Sequence, residues 1–219
     1  MLTVSFIPQS YATETTVKLV NKATKNLSEQ NNLQFIAGEH YVVLNKPVAT
    51  RDKSKIEVVE MFSYGCPHCY EFEPLIKEWV KNKSNNIDFW YFPAVWNQPM
   101  KLFAKAFYAA HELNILEQIH IPLFTTVVIE QKKISTENDL ANFFKEYGID
   151  NKEFTQAFNS SAVENQAKLA QQHVHSYSPA GVPEIIINGK YRIDRMRAGG
   201  LKEMLEVADY LINKEQELL

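Results

Sequence analysis

Cysteine is scarce in this chain. Two occur in 219 residues, too few for a framework of disulfides to hold the fold. One pair cannot complete a four-ligand zinc site, and no second Cys/His pair has ligand spacing, so no metal is expected. An excess of positive charge is also lacking. Lys and Arg number 23 against 26 Asp and Glu, for a net charge of −3, which offers no basic surface to nucleic acid or to an anionic membrane. No apolar run reaches the ~18–20 residues of a membrane-spanning helix, and no internal repeat is present. Apolar residues make up 45% of the chain, enough for a packed core and too many for disorder.

The two cysteines stand three apart, in Cys66-Pro67-His68-Cys69. Upstream, Ile56-Glu57-Val58-Val59-Glu60-Met61-Phe62 reads as a buried strand. Ser63-Tyr64-Gly65 makes a turn, and Tyr70-Glu71-Phe72-Glu73 begins a helical pattern. A C-x-x-C that opens a helix after a strand and a tight turn describes a redox dithiol. Free backbone N–H groups and the positive end of the helix dipole favour a thiolate there. The pattern points to disulfide exchange. A structural pair is the weaker alternative, because a ring this short removes little chain entropy.

Cys66, nearest the helix start, is the expected nucleophile, and Cys69, one turn in, the resolving thiol. Pro67 fixes φ for the first helical turn. His68, as an N–H donor or a cation, would stabilise the neighbouring thiolate and make the disulfide more oxidising. Glu60, six residues before Cys66, is either a proton acceptor for the thiols or a strand-edge glutamate in water. Glu73 is either on a solvated face or a charge near the dithiol. Gly181-Val182-Pro183 precedes a strong strand, where proline fits a turn, an edge, or a cis bond presenting open backbone groups to the dithiol.

The rest of the chain divides at changes of pattern. Residues 1–34 form a leader or extension. In it Ser10-Tyr11-Ala12 has the small-x-small form of a signal-peptidase site, without a basic start. Val17, Val20, Thr24 and Leu27 follow at helical spacing, as a surface arm, a subunit contact or a loose leader. Residues 35–98 carry strand, strand, helix and strand, with Pro74 expected to kink the helix. Residues 99–172 read as helices, the first begun by Asn97-Gln98-Pro99, another interrupted by Pro122, with cap-like starts at Thr136 and Asp150. Residues 173–219 hold a hairpin around Asn188-Gly189 and a last amphipathic helix. The fold class is α/β, a small mixed sheet with an all-α insertion.

From Val58 through Cys66-Pro67-His68-Cys69 to Glu73, the chain resembles the DsbA family of bacterial periplasmic thiol oxidases. The likeness runs from about Gly38 to the C-terminus. It includes His40-Tyr41 with Lys46-Pro47-Val48, Ile121-Pro122-Leu123-Phe124, Gly181-Val182-Pro183 and Ile187-Asn188-Gly189-Lys190-Tyr191. The resemblance implies a thioredoxin fold with an inserted helical domain. It implies oxidation of unfolded secreted proteins and reoxidation by a membrane quinone-linked partner. It makes Cys66 the nucleophile, Cys69 the resolving thiol, Pro183 a cis-proline in a substrate-binding loop with Gly181 and Val182, and Glu60 the buried carboxylate. The family's lysine facing that carboxylate falls near Tyr91 here, and the leader resembles extensions that mediate dimerisation. The dithiol is its own redox centre, so no cofactor is expected. A disulfide isomerase or reductase of the same class, or a non-catalytic peptide-binding chaperone module, are the alternatives.

Overall fold

The computed structural model describes residues 35–218. The leader helix, the signal-like segment and the dimer contact expected in residues 1–34 lie outside them. Strand β1 (Val42–Val43) is short, and β2 (Ile56–Phe62) is buried along its whole length. Helix α1 (Pro67–Lys81) crosses over to β3 (Ile87–Pro93), which pairs parallel with β2. Then come α2 (Gln98–Glu112), α3 (Leu116–Phe124), a π-helical segment Thr125–Ile129, α4 (Glu137–Lys145), α5 (Asn151–Phe158) and α6 (Ser161–Tyr177). The chain returns to the sheet as the hairpin β4 (Glu184–Ile187) and β5 (Tyr191–Asp194), followed by α7 (Arg195–Ala198) and α8 (Leu201–Gln216). Strand order is β1-β5-β4-β2-β3, with β4 antiparallel to β2. This is the expected thioredoxin fold, with the helices α2–α6 inserted between β3 and β4.

Alternation along the central strand sorts its side chains onto two faces. Ile56 and Val58 pack with Phe72 and Ile76 of α1 and with Met204, Ala208 and Leu211 of α8. Val59 and Met61 pack on the other side with Ala104 of α2 and Ala170 and Val174 of α6. Glu60 and Phe62 continue the first face, so Glu60 lies on the side that α1 covers. A third cluster joins Phe62, Tyr64 and Cys69 to the inserted helices through Phe107, Ile119, Phe124 and Phe144. The site therefore sits where sheet, α1 and insertion share one core.

Local chemistry accounts for most element ends. Asn97 caps α2 by accepting from the Met100 N–H at 2.9 Å, and Thr136 and Asp139 form a reciprocal capping box on α4. In the hairpin Asn188 and Gly189 both have positive φ, 51° and 61°, as a type I′ turn requires. Glycine is also needed at 189 for space, since a Cβ there would lie 2.0 Å from the Val48 carbonyl oxygen.

One proline expectation needs correction. Pro122 does not interrupt its helix. Helix α3 runs through it and loosens to π pitch over Thr125–Ile129, where the Thr125 hydroxyl donates to the Ile121 carbonyl at 3.0 Å. Pro74 is exposed and sits inside α1, which runs to Lys81. The helical spacing of Phe72, Leu75, Ile76 and Trp79 predicts one apolar face for α1; Phe72 and Ile76 are fully buried, whereas Leu75 and Trp79 are only partly so.

Candidate active site

Cys66 is the N-cap of α1. Its φ of −101° and ψ of 113° are extended, and its sulfur accepts from the Cys69 N–H at 3.3 Å. Pro67 occupies the first helical position, where its missing N–H costs nothing. The Cys66 thiol is half-buried, and Cys69 is fully buried. That asymmetry is the one expected from the helix position. The Cys66 thiol is pulled from 9.0 down to about 7, first by the hydrogen bond from the Cys69 thiol, against partial burial. The backbone N–H groups of Cys69 and His68 add to it, and the His68 charge contributes least. Burial pushes the Cys69 thiol strongly the other way. One sulfur is tuned to ionise and the other to keep its proton.

Across from the dithiol, the Val182–Pro183 bond is cis, and the Cys66 thiol donates to the Val182 carbonyl at 3.3 Å. Val182, Tyr70, Val127 and Val128 are partly exposed apolar side chains on the cluster that holds Cys66. Gly181 donates its N–H to Glu184 at 3.1 Å, which ties the loop before Pro183 to the head of β4. Burial pushes the Glu184 carboxyl up to about 7.

His68 does not turn its ring to the sulfur. Its Nδ1 lies 3.0 Å from the Glu71 carboxylate, on the exposed side of the helix. Glu60 is fully buried, which removes the alternative of a carboxylate in water, and neither of its oxygens has a hydrogen-bond partner. Its carboxyl is pushed well up, first by burial and then by the Glu73 and Cys66 charges.

Glu73, left open between solvent and dithiol by the sequence, is buried beside it. Its Oε1 lies 3.0 Å from Nε2 of His120, and its Oε2 accepts from the Tyr91 hydroxyl at 3.2 Å. The other His120 nitrogen, Nδ1, lies 2.8 Å from the Tyr64 hydroxyl. Glu60 is the register partner of Tyr91 in the parallel pair, so both face α1. No motif in the sequence marks His120 or Tyr64 as a site residue, and Tyr91 enters only as the position of the family's lysine. The available signal was a histidine inside the apolar run Ile119-His120-Ile121-Pro122-Leu123-Phe124. Among the described residues, no group of three or more His, Cys, Asp or Glu side chains is gathered to hold a metal.

A C-x-x-C at the head of the first long helix, beside a cis-proline loop on a thioredoxin sheet, defines a thiol:disulfide oxidoreductase. A family model described as Thioredoxin matches residues 45–207. The thiol:disulfide interchange protein DsbA of Pseudomonas aeruginosa is 37% identical over 182 residues, covering 83% of this chain and 86% of that protein. DsbA of Pseudomonas syringae pv. tomato is 34% identical over 198 residues, covering 90% and 92%. The crystal structure of Pseudomonas aeruginosa DsbA superposes with a TM-score of 0.80 over 84% of this chain and 96% of that one, at 37% identity. The oxidoreductase DsbA of Xylella fastidiosa superposes at 0.78, at 28% identity, over 84% and 98%. The chain belongs to the DsbA family.

Proposed function

We propose that this oxidoreductase works as an oxidase, donating its Cys66–Cys69 disulfide to partly folded secreted proteins in the periplasm. A substrate thiolate attacks the Cys66 sulfur, and the Cys66–Cys69 bond breaks with its electron pair going to Cys69. Cys69 takes a proton, for which Glu60 is the carrier. The substrate's second thiolate then attacks the mixed disulfide and releases Cys66 as a thiolate. The substrate has lost two electrons and the enzyme has gained them; a membrane quinone-linked protein takes them back. Gly181, Val182 and Pro183 bind the substrate backbone beside Cys66. Pro67 sets the helix start, and His68 acts on the thiolate chiefly through its backbone N–H. Residues 99–172 are the inserted helical domain between thioredoxin parts 35–98 and 173–219, although α6 extends past the second boundary to Tyr177. A homodimer through residues 1–34 is part of the same proposal.

One observation carries the proposal: the half-buried Cys66 sulfur caps the helix and lies 3.3 Å from the Val182 carbonyl of the cis-proline loop, with its thiol lowered to about 7, while Cys69 is fully buried and its thiol driven up. A less basic thiolate is the better leaving group, so the lowered Cys66 passes the disulfide on more readily than an unshifted thiol would. No helix among the described residues is long and apolar enough to cross a membrane. In the test, Cys66→Ser abolishes oxidation of a reduced client and Cys69→Ser accumulates mixed disulfides. Mixed disulfides at Cys69 in Cys66→Ser would overturn the roles. Faster repair of a scrambled client than oxidation of a reduced one would favour the isomerase instead. Client binding without turnover would leave a chaperone module.

A further inference from the structure

Glu60 and Glu73 are two buried acids on the same side of the sheet, next to the dithiol. Among the described residues neither pairs with a Lys or Arg; the one ion-pair partner is His120, on Glu73. The aromatic neighbours of the His120 ring are Phe62, Phe107, Phe124, Tyr64 and Tyr91. The ionisable groups of this pocket are therefore Glu60 from β2, Cys66, Cys69 and Glu73 from the dithiol helix, Tyr91 from β3, Tyr64 from the turn, and His120 itself.

Hydrogen-bond bookkeeping assigns the protons. With a neutral imidazole, the Tyr64 hydroxyl donates to Nδ1, Nε2–H donates to Glu73, and Tyr91 donates to the other Glu73 oxygen. Each of these polar atoms then has a partner. A second ring proton on Nδ1 would reverse the first contact and strand the Tyr64 hydrogen without an acceptor. One negative charge is left, on Glu73, held by two donors. Two adjacent carboxylates in a desolvated site cannot both ionise cheaply. The charge fixed on Glu73 thus keeps a proton on Glu60, whose oxygens have no donor to stabilise a second charge.

We propose that His120 is a positioning residue of the exchange: it holds the charged Glu73 one helical turn behind Cys69 and thereby keeps the transferable proton on Glu60. The proposal rests on Glu60 being the proton carrier under the proposed function. When the incoming thiolate bonds to Cys66 and the electron pair moves to Cys69, the Glu60 proton follows it. Glu60 is left as a carboxylate facing Glu73, and that repulsion drives its reprotonation from solvent. No other oxidant or reductant enters the step.

Carbon-13 NMR of the glutamate side-chain carboxyls in the full reduced chain tests this, with Glu60 and Glu73 assigned through Glu60→Gln and Glu73→Gln. His120→Phe fits the aromatic surroundings and removes the donor. The unsupported Glu73 should then take up a proton, and the Glu60 midpoint should fall by about one unit or more, a tenfold change in its proton affinity. Single-turnover oxidation of a dithiol peptide should begin to slow at a correspondingly lower pH. His120→Gln, which keeps an amide donor, should give a smaller shift of the same sign, and it serves alone if His120→Phe does not fold. An unmoved or raised Glu60 midpoint in whichever variant folds overturns the proposal. A Glu60→Gln protein with the parent rate and pH profile overturns instead the carrier role of Glu60, and the carboxyl midpoints distinguish the two failures.

Discussion

The difference between the two sulfurs should be readable as a rate. With a pKa of about 7, Cys66 is half thiolate at neutral pH, whereas a thiol left at 9.0 would be about one part in a hundred. Ionisation alone therefore favours Cys66 by a factor of ~50. Lower basicity weakens the nucleophile: with a Brønsted coefficient of ~0.4–0.5, two units cost a factor of about six to ten. The net advantage at neutral pH is about five- to eightfold over an unshifted thiol, and the Cys66 alkylation rate itself should fall about tenfold per unit once the pH is below the Cys66 midpoint. Cys69, fully buried and with its thiol pushed up, should stay unlabelled over the same time. Iodoacetamide alkylation of the reduced protein across the pH range, with the modified residue mapped by mass spectrometry, measures both numbers. Labelling of Cys69 first, or a Cys66 profile with an unshifted midpoint, would refute the reasoning.

Three further outcomes are expected. Because the folded Cys66 value is depressed, the stability it lends the reduced form is complete above the unfolded value and lost as pH falls through about 7. The melting temperature of the reduced protein should therefore rise relative to the oxidised one between about pH 6 and about pH 9, and a flat or falling difference by calorimetry contradicts it. His68→Ala should lower the reduction potential by less than ~30 mV, about 1.4 kcal/mol, because the ring serves Glu71; Glu71→Gln should raise it slightly. Equilibration with glutathione reads both, and a fall of ~60 mV or more in His68→Ala would mean the imidazole acts directly on the sulfur. Phe62→Ala removes a ring packed against those of Tyr64, Tyr91, Phe107, His120 and Phe124. It should cost ~3–5 kcal/mol in urea unfolding, and a loss below ~1 kcal/mol would show that the cluster repacks.

The sequence is most legible where short-range signals agree. Strand β2, the Ser63-Tyr64-Gly65 turn and α1 follow one another with an apolar run, a turn and a proline at the first helical position. The Asn188-Gly189 hairpin and the Asn97 and Thr136 caps are equally local. Legibility fails where the outcome depends on packing. Pro122 reads as a break because it lacks an N–H, yet Ile119, Leu123 and Phe124 bury the same face on either side of it. That burial carries the helix through, and the β-branched run Thr125-Thr126-Val127-Val128-Ile129 takes up the mismatch as π pitch. Trp79 reads as core from its spacing, but its Nε1 donates to Asp209 at 3.2 Å, which keeps its edge near water.

The acid pair shows the same division more sharply. That Glu60 and Glu73 share a face follows from strand alternation and helix periodicity, both local properties. What compensates them does not. Tyr91, where the resemblance places a lysine, lends Glu73 a hydroxyl hydrogen but no positive charge. The remaining donor comes from His120, 47 residues from Glu73 along the chain, on a helix of the insertion. A lysine between two carboxylates would let both ionise. A tyrosine and a histidine give hydrogen-bond donors to one carboxylate only, and burial beside that charge pushes the other, Glu60, well up. The substitution on β3 and the histidine on α3 thus belong to one electrostatic solution. In that solution the insertion, besides covering the dithiol helix, helps decide which buried acid carries the proton that disulfide exchange requires.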